Sequence, residues 1–106
     1  METIFVTRHP GAVEWLKKTH PEWGLAKLFG HVNTEDVRGR RVVGTLPIHL
    51  AAIAGEYWHL EMKLPPELRG KEKTEEEMTS CGAQLRCYRV ELVENTVSEW
   101  GSEATK

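Results

Sequence analysis

Two short stretches of this sequence hold the residue types that grip a phosphate and work on it. The first is Thr7-Arg8-His9-Pro10-Gly11 and the second is Gly44-Thr45-Leu46-Pro47. Arg8 offers a forked cation that matches phosphate oxygens, and His9 offers a ring that takes or gives a proton near neutral pH. Thr7 and Thr45 bring hydroxyls, while Gly11 and Gly44, lacking a Cβ, let backbone come close to a ligand. Each stretch leads into a predicted helix, whose first amides are unpaired and whose dipole favours an anion. Glycine and proline after a strand are also ordinary turn chemistry, so neither stretch is specific alone. Their occurrence together, at two predicted strand ends, is what points to a site.

Other candidates are weaker. Lys63 closes a predicted strand, and Arg69 lies in the following Pro65-Pro66-Glu67-Leu68-Arg69-Gly70-Lys71 loop, at the sheet end where a ligand is expected. Both are candidates to cover a ligand from the rim. His49 is the one polar residue in the apolar helix start Ile48–Ala54; it is either satisfied locally or turned into the pocket. Arg38, Arg40 and Arg41 cluster at the opposite strand end and read as a solvated turn. His20, His31 and His59 are scattered without His-x-x-x-His or Cys-x-x-Cys spacing, so no metal ligand is assigned.

The elements that position these residues follow from the pattern of apolar side chains. Ile4-Phe5-Val6-Thr7 reads as a buried strand, followed by a short helix over Gly11–Lys18 with Lys17 and Lys18 at its favourable C-terminal end. Leu25–Val32 admits a strand or a short helix, and strand is preferred. Thr34–Val37 is one capped turn ended by Gly39. Arg41–Leu46 is the next strand, and Ile48–Ala54, apolar almost all round, reads as a largely buried helix with Pro47 before it. Tyr57–Leu64 alternates, with Trp58, Leu60, Met62 and Leu64 on one face, and reads as a half-covered strand near a sheet edge or subunit interface. Thr74 to Glu77 forms a capping box, and Met78, Cys81, Leu85, Tyr88 and Leu92 recur at helical steps. A single long helix is predicted there. It places Cys81 and Cys87 about 9 Å apart along one axis, too far for a disulfide.

This alternation predicts one α/β domain over residues 1–94, Rossmann-like, with a mostly parallel sheet of about four strands and helices on both faces. Residues 95–106 read as a polar tail, expected to be mobile. The weak joint is the short link between the second and third strands, since a parallel crossover usually takes about a dozen residues. In such sheets a ligand sits beyond the carboxyl ends of the strands where the chain changes direction, which is where the two stretches above fall.

Composition narrows the function classes. The chain has 106 residues, 40% hydrophobic and 28% charged, with a formal net charge of −2. That charge supplies no global field for a long nucleic acid, though a small anion held by local groups is compatible with it. No apolar run approaches the roughly 18 residues of a membrane span. Met1–Val6 is too short and lightly charged for a signal peptide, and with two free thiols the reading expects a cytoplasmic protein. Dinucleotide cofactors expect a Gly-x-Gly-x-x-Gly motif that the first strand lacks. An Arg-His-Gly motif would mark a histidine phosphatase, but Pro10 stands in its third position and the chain is too short for that fold. No cofactor is expected.

Val6-Thr7-Arg8-His9-Pro10-Gly11-Ala12, Gly44-Thr45-Leu46-Pro47 and Leu50-Ala51-Ala52 resemble a known family. They are similar to the small CRISPR-associated proteins of the Csx-sixteen type, found beside type III systems. Leu64–Gly70 and Glu76-Glu77-Met78 fit as well, and the likeness spans roughly residues 3–92, with Pro21–Gly30 departing from it. The resemblance implies a CARF-like, Rossmann-like fold and a ring nuclease that cleaves cyclic tetra-adenylate, with no metal required. It also implies a homodimer with the ring across the two-fold axis. On that reading Arg8 and His9 are the catalytic residues. Thr7, Pro10, Gly11, Gly44, Thr45, Leu46, Pro47, His49, Lys63 and Arg69 contact the substrate. A non-catalytic protein that sequesters the same ring, or a CRISPR accessory that binds protein, are the alternatives.

Overall fold

A computed structural model describes residues 1–63 and 74–96. It contains five strands: β1 (Thr3–Val6), β2 (Lys27–Phe29), β3 (Arg41–Gly44), β4 (Glu56–Glu61) and β5 (Gln84–Tyr88). The four helices are α1 (Pro10–Thr19), α2 (Thr34–Val37), α3 (Ile48–Ala51) and α4 (Glu75–Ser80). The sheet order is β2-β1-β3-β4-β5, with β1 to β4 parallel and β5 antiparallel to β4.

Side-chain alternation divides the core between the two sheet faces. Ile4, Val6 and Val42 point to one face and bury Val37, Leu46, Leu50, Ala51 and Tyr57 against it, so α2 and α3 pack there. Phe5 and Val43 point to the other, where Ala12, Trp15 and Leu16 of α1 meet Trp23 and Met78. The salt bridge Lys18–Glu75 (2.7 Å) ties α1 to α4 on that side. Phe5, Val42, Val43 and Leu16 are fully buried, which fixes the register of the two central strands.

From β1 the chain passes along one face to β2 and returns along the other face to β3, on the far side of β1. The neighbours β1 and β3 therefore flank the point where the winding reverses. The short β2–β3 link is a genuine parallel crossover, residues 30–40. It stays compact because α2 is one turn, closed by reciprocal bonds between Asn33 and Asp36 (3.0 and 2.8 Å).

Three predicted elements differ. The long final helix ends at Ser80, because Gly82 adopts a left-handed φ of 70° and the Gly82 and Ala83 amides turn back onto Thr79 and Met78 (both 3.0 Å). The apolar residues beyond it form β5, with Leu85 opposite Leu60. β5 makes β4 an inner strand, and the sheet has five strands. Cys81 is thus buried at the end of α4 and Cys87 exposed on β5; both are free thiols, for a different reason from the one the helix offered. Finally, α3 is a single turn that buries Leu50 and Ala51 but leaves Ile48 76% exposed, so it is not the buried helix its composition predicts.

Candidate functional site

Beyond the carboxyl ends of β1 and β3 lies a cleft of about 300 Å³ lined by Val6, Thr7, Arg8, His9, Gly30 and Thr45. The backbone builds it in three steps. β1 ends at Val6, and the Thr7 amide still bonds to the Phe29 carbonyl of β2 (3.2 Å). The Thr7 hydroxyl oxygen then accepts the His9 amide (3.2 Å), which bends the chain into α1 and leaves the hydroxyl hydrogen free to donate. Pro10 has no N–H, and Ala12 and Val13 return theirs to the His9 carbonyl (3.0 and 3.4 Å). Gly11 carries the remaining helix-start amide, but neither Pro10 nor Gly11 is among the residues that line the cleft: both belong to the first turn of α1.

The second loop works differently from its sequence reading. α3 is too short to present a helix dipole, and its approach amides are spent within the protein. Thr45 donates to the Val6 carbonyl (3.3 Å), and Leu46 donates to the buried Tyr57 hydroxyl (2.9 Å). Gly44 serves strand contact rather than ligand contact: a Cβ there would lie 2.0 Å from the Val6 carbonyl oxygen, and its φ is 142°. Leu46 is a core residue, Pro47 caps α3, and of the four residues only Thr45 lines the cleft. The Tyr57 hydroxyl also meets His59 Nδ1 at 2.6 Å, and burial pushes the phenol above its ordinary pKa.

Thr7, Arg8, His9 and Thr45 are thus brought to one cleft. His49 is not: it is exposed on α3 and lines a separate apolar groove with Ile48, Ile53 and Leu92. Lys63 is exposed at the end of β4, two strands from β1, with its amide on the Cys81 carbonyl (2.9 Å). Arg69 and its loop lie outside the described residues. The arginines at the other end of the sheet are held by carboxylates: Arg38 by Glu35 (3.6 Å), Arg40 by Glu2 (2.6 Å) and Arg41 by Glu56 (2.7 Å).

One residue missed by sequence reasoning joins the site. The Arg8 guanidinium lies against the ring of His31, which follows Gly30 in the loop after β2. Its neighbours Gly30 and Val32 make no recognisable motif, and only the placement of β2 beside β1 brings it near. Among the described residues no group of three His, Cys, Asp or Glu side chains gathers to hold a metal ion. No helix among them is long and apolar enough to cross a membrane.

The arrangement can hold one phosphodiester. It offers a guanidinium and two hydroxyls to the oxygens, with an imidazole alongside. A family model described as "Putative CRISPR-associated protein (Cas_VVA1548)" matches residues 4–91, which span every element of the sheet. No curated protein and no solved structure matches the chain.

Proposed function

The chain belongs to this CRISPR-associated family, and from that premise and the cleft at the β1/β3 switch we propose that it is a ring nuclease acting on cyclic tetra-adenylate. The observation that carries the reading is Arg8 beside His9, Thr7 and Thr45 in one crevice, an arrangement suited to a phosphate and not to an apolar or cationic ligand. At about 300 Å³ the cleft is at the small end for ligand pockets. It accommodates one phosphodiester while the rest of the ring lies outside, which is compatible with a dimer presenting two clefts to one symmetric ring.

The reaction is intramolecular. A ribose 2′-oxygen attacks the adjacent phosphorus, the bond to the 5′-oxygen breaks, and the products carry a 2′,3′-cyclic phosphate and a 5′-hydroxyl. A proton leaves the 2′-oxygen and one reaches the 5′-oxygen, so the rate depends on a proton carrier near the phosphorus and on in-line placement of the nucleophile. His9 serves as that carrier. Arg8 neutralises the charge that builds on the phosphoryl oxygens, and the Thr7 and Thr45 hydroxyls hold the remaining oxygens.

The test is incubation of purified protein with cyclic tetra-adenylate in EDTA, with products resolved by chromatography and mass spectrometry. Linear products ending in a 2′,3′-cyclic phosphate are expected. Arg8→Ala is expected to lower kcat about 100-fold or more, and His9→Ala by a similar factor. Full activity in both variants would remove this site. Tight binding with the ring recovered intact would make the protein one that sequesters the messenger.

A further inference from the structure

Residues directly opposite on paired strands point to the same side of a sheet. Tyr57 and His59 of β4 therefore share a face with Tyr88 and Arg86 of β5. Tyr57 is buried there with Leu50 and Ala51 of α3, but the cover stops short of β5: Tyr88 is 42% exposed and the Arg86 side chain 58%. Two bonds fix the rings on this open part of the face. His59 Nδ1 meets the Tyr57 hydroxyl (2.6 Å), and the Tyr88 hydroxyl donates to Glu61 (2.8 Å). The His59 and Tyr88 rings stand edge to face with centroids 6.1 Å apart. The same face runs to the cleft, because the register forms one row across the sheet, Val6–Gly44–His59–Arg86. Val6 lines the cleft and Thr45, which also lines it, follows Gly44. At one strand spacing per step, His59 is about 5 Å from Gly44 and Arg86 about 10 Å. We propose that His59 and Tyr88 form a stacking platform for a purine base of the ligand whose phosphodiester occupies the cleft.

The chemistry of this face selects a base over a second phosphate. Aromatic side chains on an open sheet face take unpaired bases by stacking, which asks for a flat π surface and no hydrogen-bond code. A phosphate would need an unbalanced cation, and Arg86 faces Glu61 at 3.7 Å, so the charge here is already offset. The rings are also held before a ligand arrives, His59 by Tyr57 and Tyr88 by Glu61, so little side-chain freedom is lost on binding. A base hangs from the sugar beside its own phosphate, so one nucleotide can set its phosphate in the cleft and its base on the adjoining strands. The platform deepens the ring-nuclease reading and rests on the cleft being its phosphate site. It assigns the base to the β4–β5 side and leaves the reacting phosphodiester to Arg8 and its neighbours.

Two measurements decide the matter. The first follows the aromatic ring protons of the wild type by NMR during titration with adenosine 5′-monophosphate and, separately, with ribose 5-phosphate, which has the phosphate but no base. Adenosine monophosphate is expected to shift the ring signals of Tyr88 and His59, while ribose 5-phosphate leaves them in place. Rings that stay still with both, or move equally with both, overturn the platform. The second is calorimetry with cyclic tetra-adenylate. Tyr88→Ala is expected to weaken binding about tenfold, whereas Tyr88→Phe, which keeps the ring, binds within about twofold of wild type. An unchanged affinity in Tyr88→Ala overturns the platform as well. A wild type that binds no cyclic tetra-adenylate overturns the ring-nuclease reading, and the adenosine monophosphate titration then still decides whether this face takes a base.

Discussion

Tyr57 shows how a single buried hydroxyl can govern a loop it does not belong to. Its oxygen is the acceptor for the Leu46 amide, and its proton is shared between His59 Nδ1 and the Gly44 carbonyl (2.6 and 3.4 Å). Tyr57→Phe leaves the Leu46 N–H buried and unpaired, an expected loss of about 1–3 kcal/mol by urea denaturation. It should also loosen Thr45, which is read as weaker binding of the ring. The pH dependence has a definite sign. Burial holds the folded phenol above its ordinary range, whereas the unfolded one ionises near pH 10. The stabilising contribution is complete below that pH and declines as pH rises through it. The wild type should therefore lose stability above about pH 10 more steeply than Tyr57→Phe, as seen in parallel urea titrations.

The elements depend on a few residues placed where strands meet. Gly44 is packed on the Val6 carbonyl at a φ that side chains avoid, so Gly44→Ala should cost about 3 kcal/mol and disturb β1 and β3 together. Denaturation and amide spectra would measure both. At the opposite end of β3, the Glu56 carboxylate accepts from the Trp58 indole and the Arg41 guanidinium (2.6 and 2.7 Å), bonds that hold it below the usual carboxylate range. Its contribution is present above the unfolded pKa of about 4.3 and disappears as pH falls through the folded value. The stability gap between wild type and Glu56→Gln should therefore narrow as pH falls below the unfolded value of about 4.3, as parallel urea titrations would show. These same elements show what a sequence can reveal. The hydrophobic runs of β1 and β3, buried on both faces, and the capping box at Thr74 are local signals, and local signals put Arg8 and Thr45 each at a strand end; that the two strands are neighbours is a property of the sheet. Residues 78–92 misled because their apolar spacing fits a helix and an alternating strand almost equally well. Gly82 was the one local mark of the change. His31 and the spent amides of the second loop depend on contacts across the sheet, from β2 to Arg8 and from Tyr57 to Leu46, which no spacing along the chain encodes.

At the scale of the whole molecule, the net charge of −2 supplies no broad positive field, Arg38, Arg40 and Arg41 are ion-paired at one end of the sheet, and Arg8 lines the β1/β3 cleft at the other. Affinity should therefore belong to a compact phosphodiester and not to a polymer: a long single-stranded RNA is expected to show no retardation in a gel at concentrations that saturate cyclic tetra-adenylate. The cleft also spans strands of unequal security. β1 and β3 are central, while β2, three residues long, is an edge strand that among the described residues pairs with β1 alone, with Leu28 55% exposed. One wall of the crevice thus rides on the part of the sheet that can open at small cost, well before the molecule as a whole comes apart. Occupancy of the crevice would then register as slower amide-deuterium exchange at Thr7 and Phe29, far more than at Val42 or Val43, making the edge of the sheet a built-in reporter of ligand.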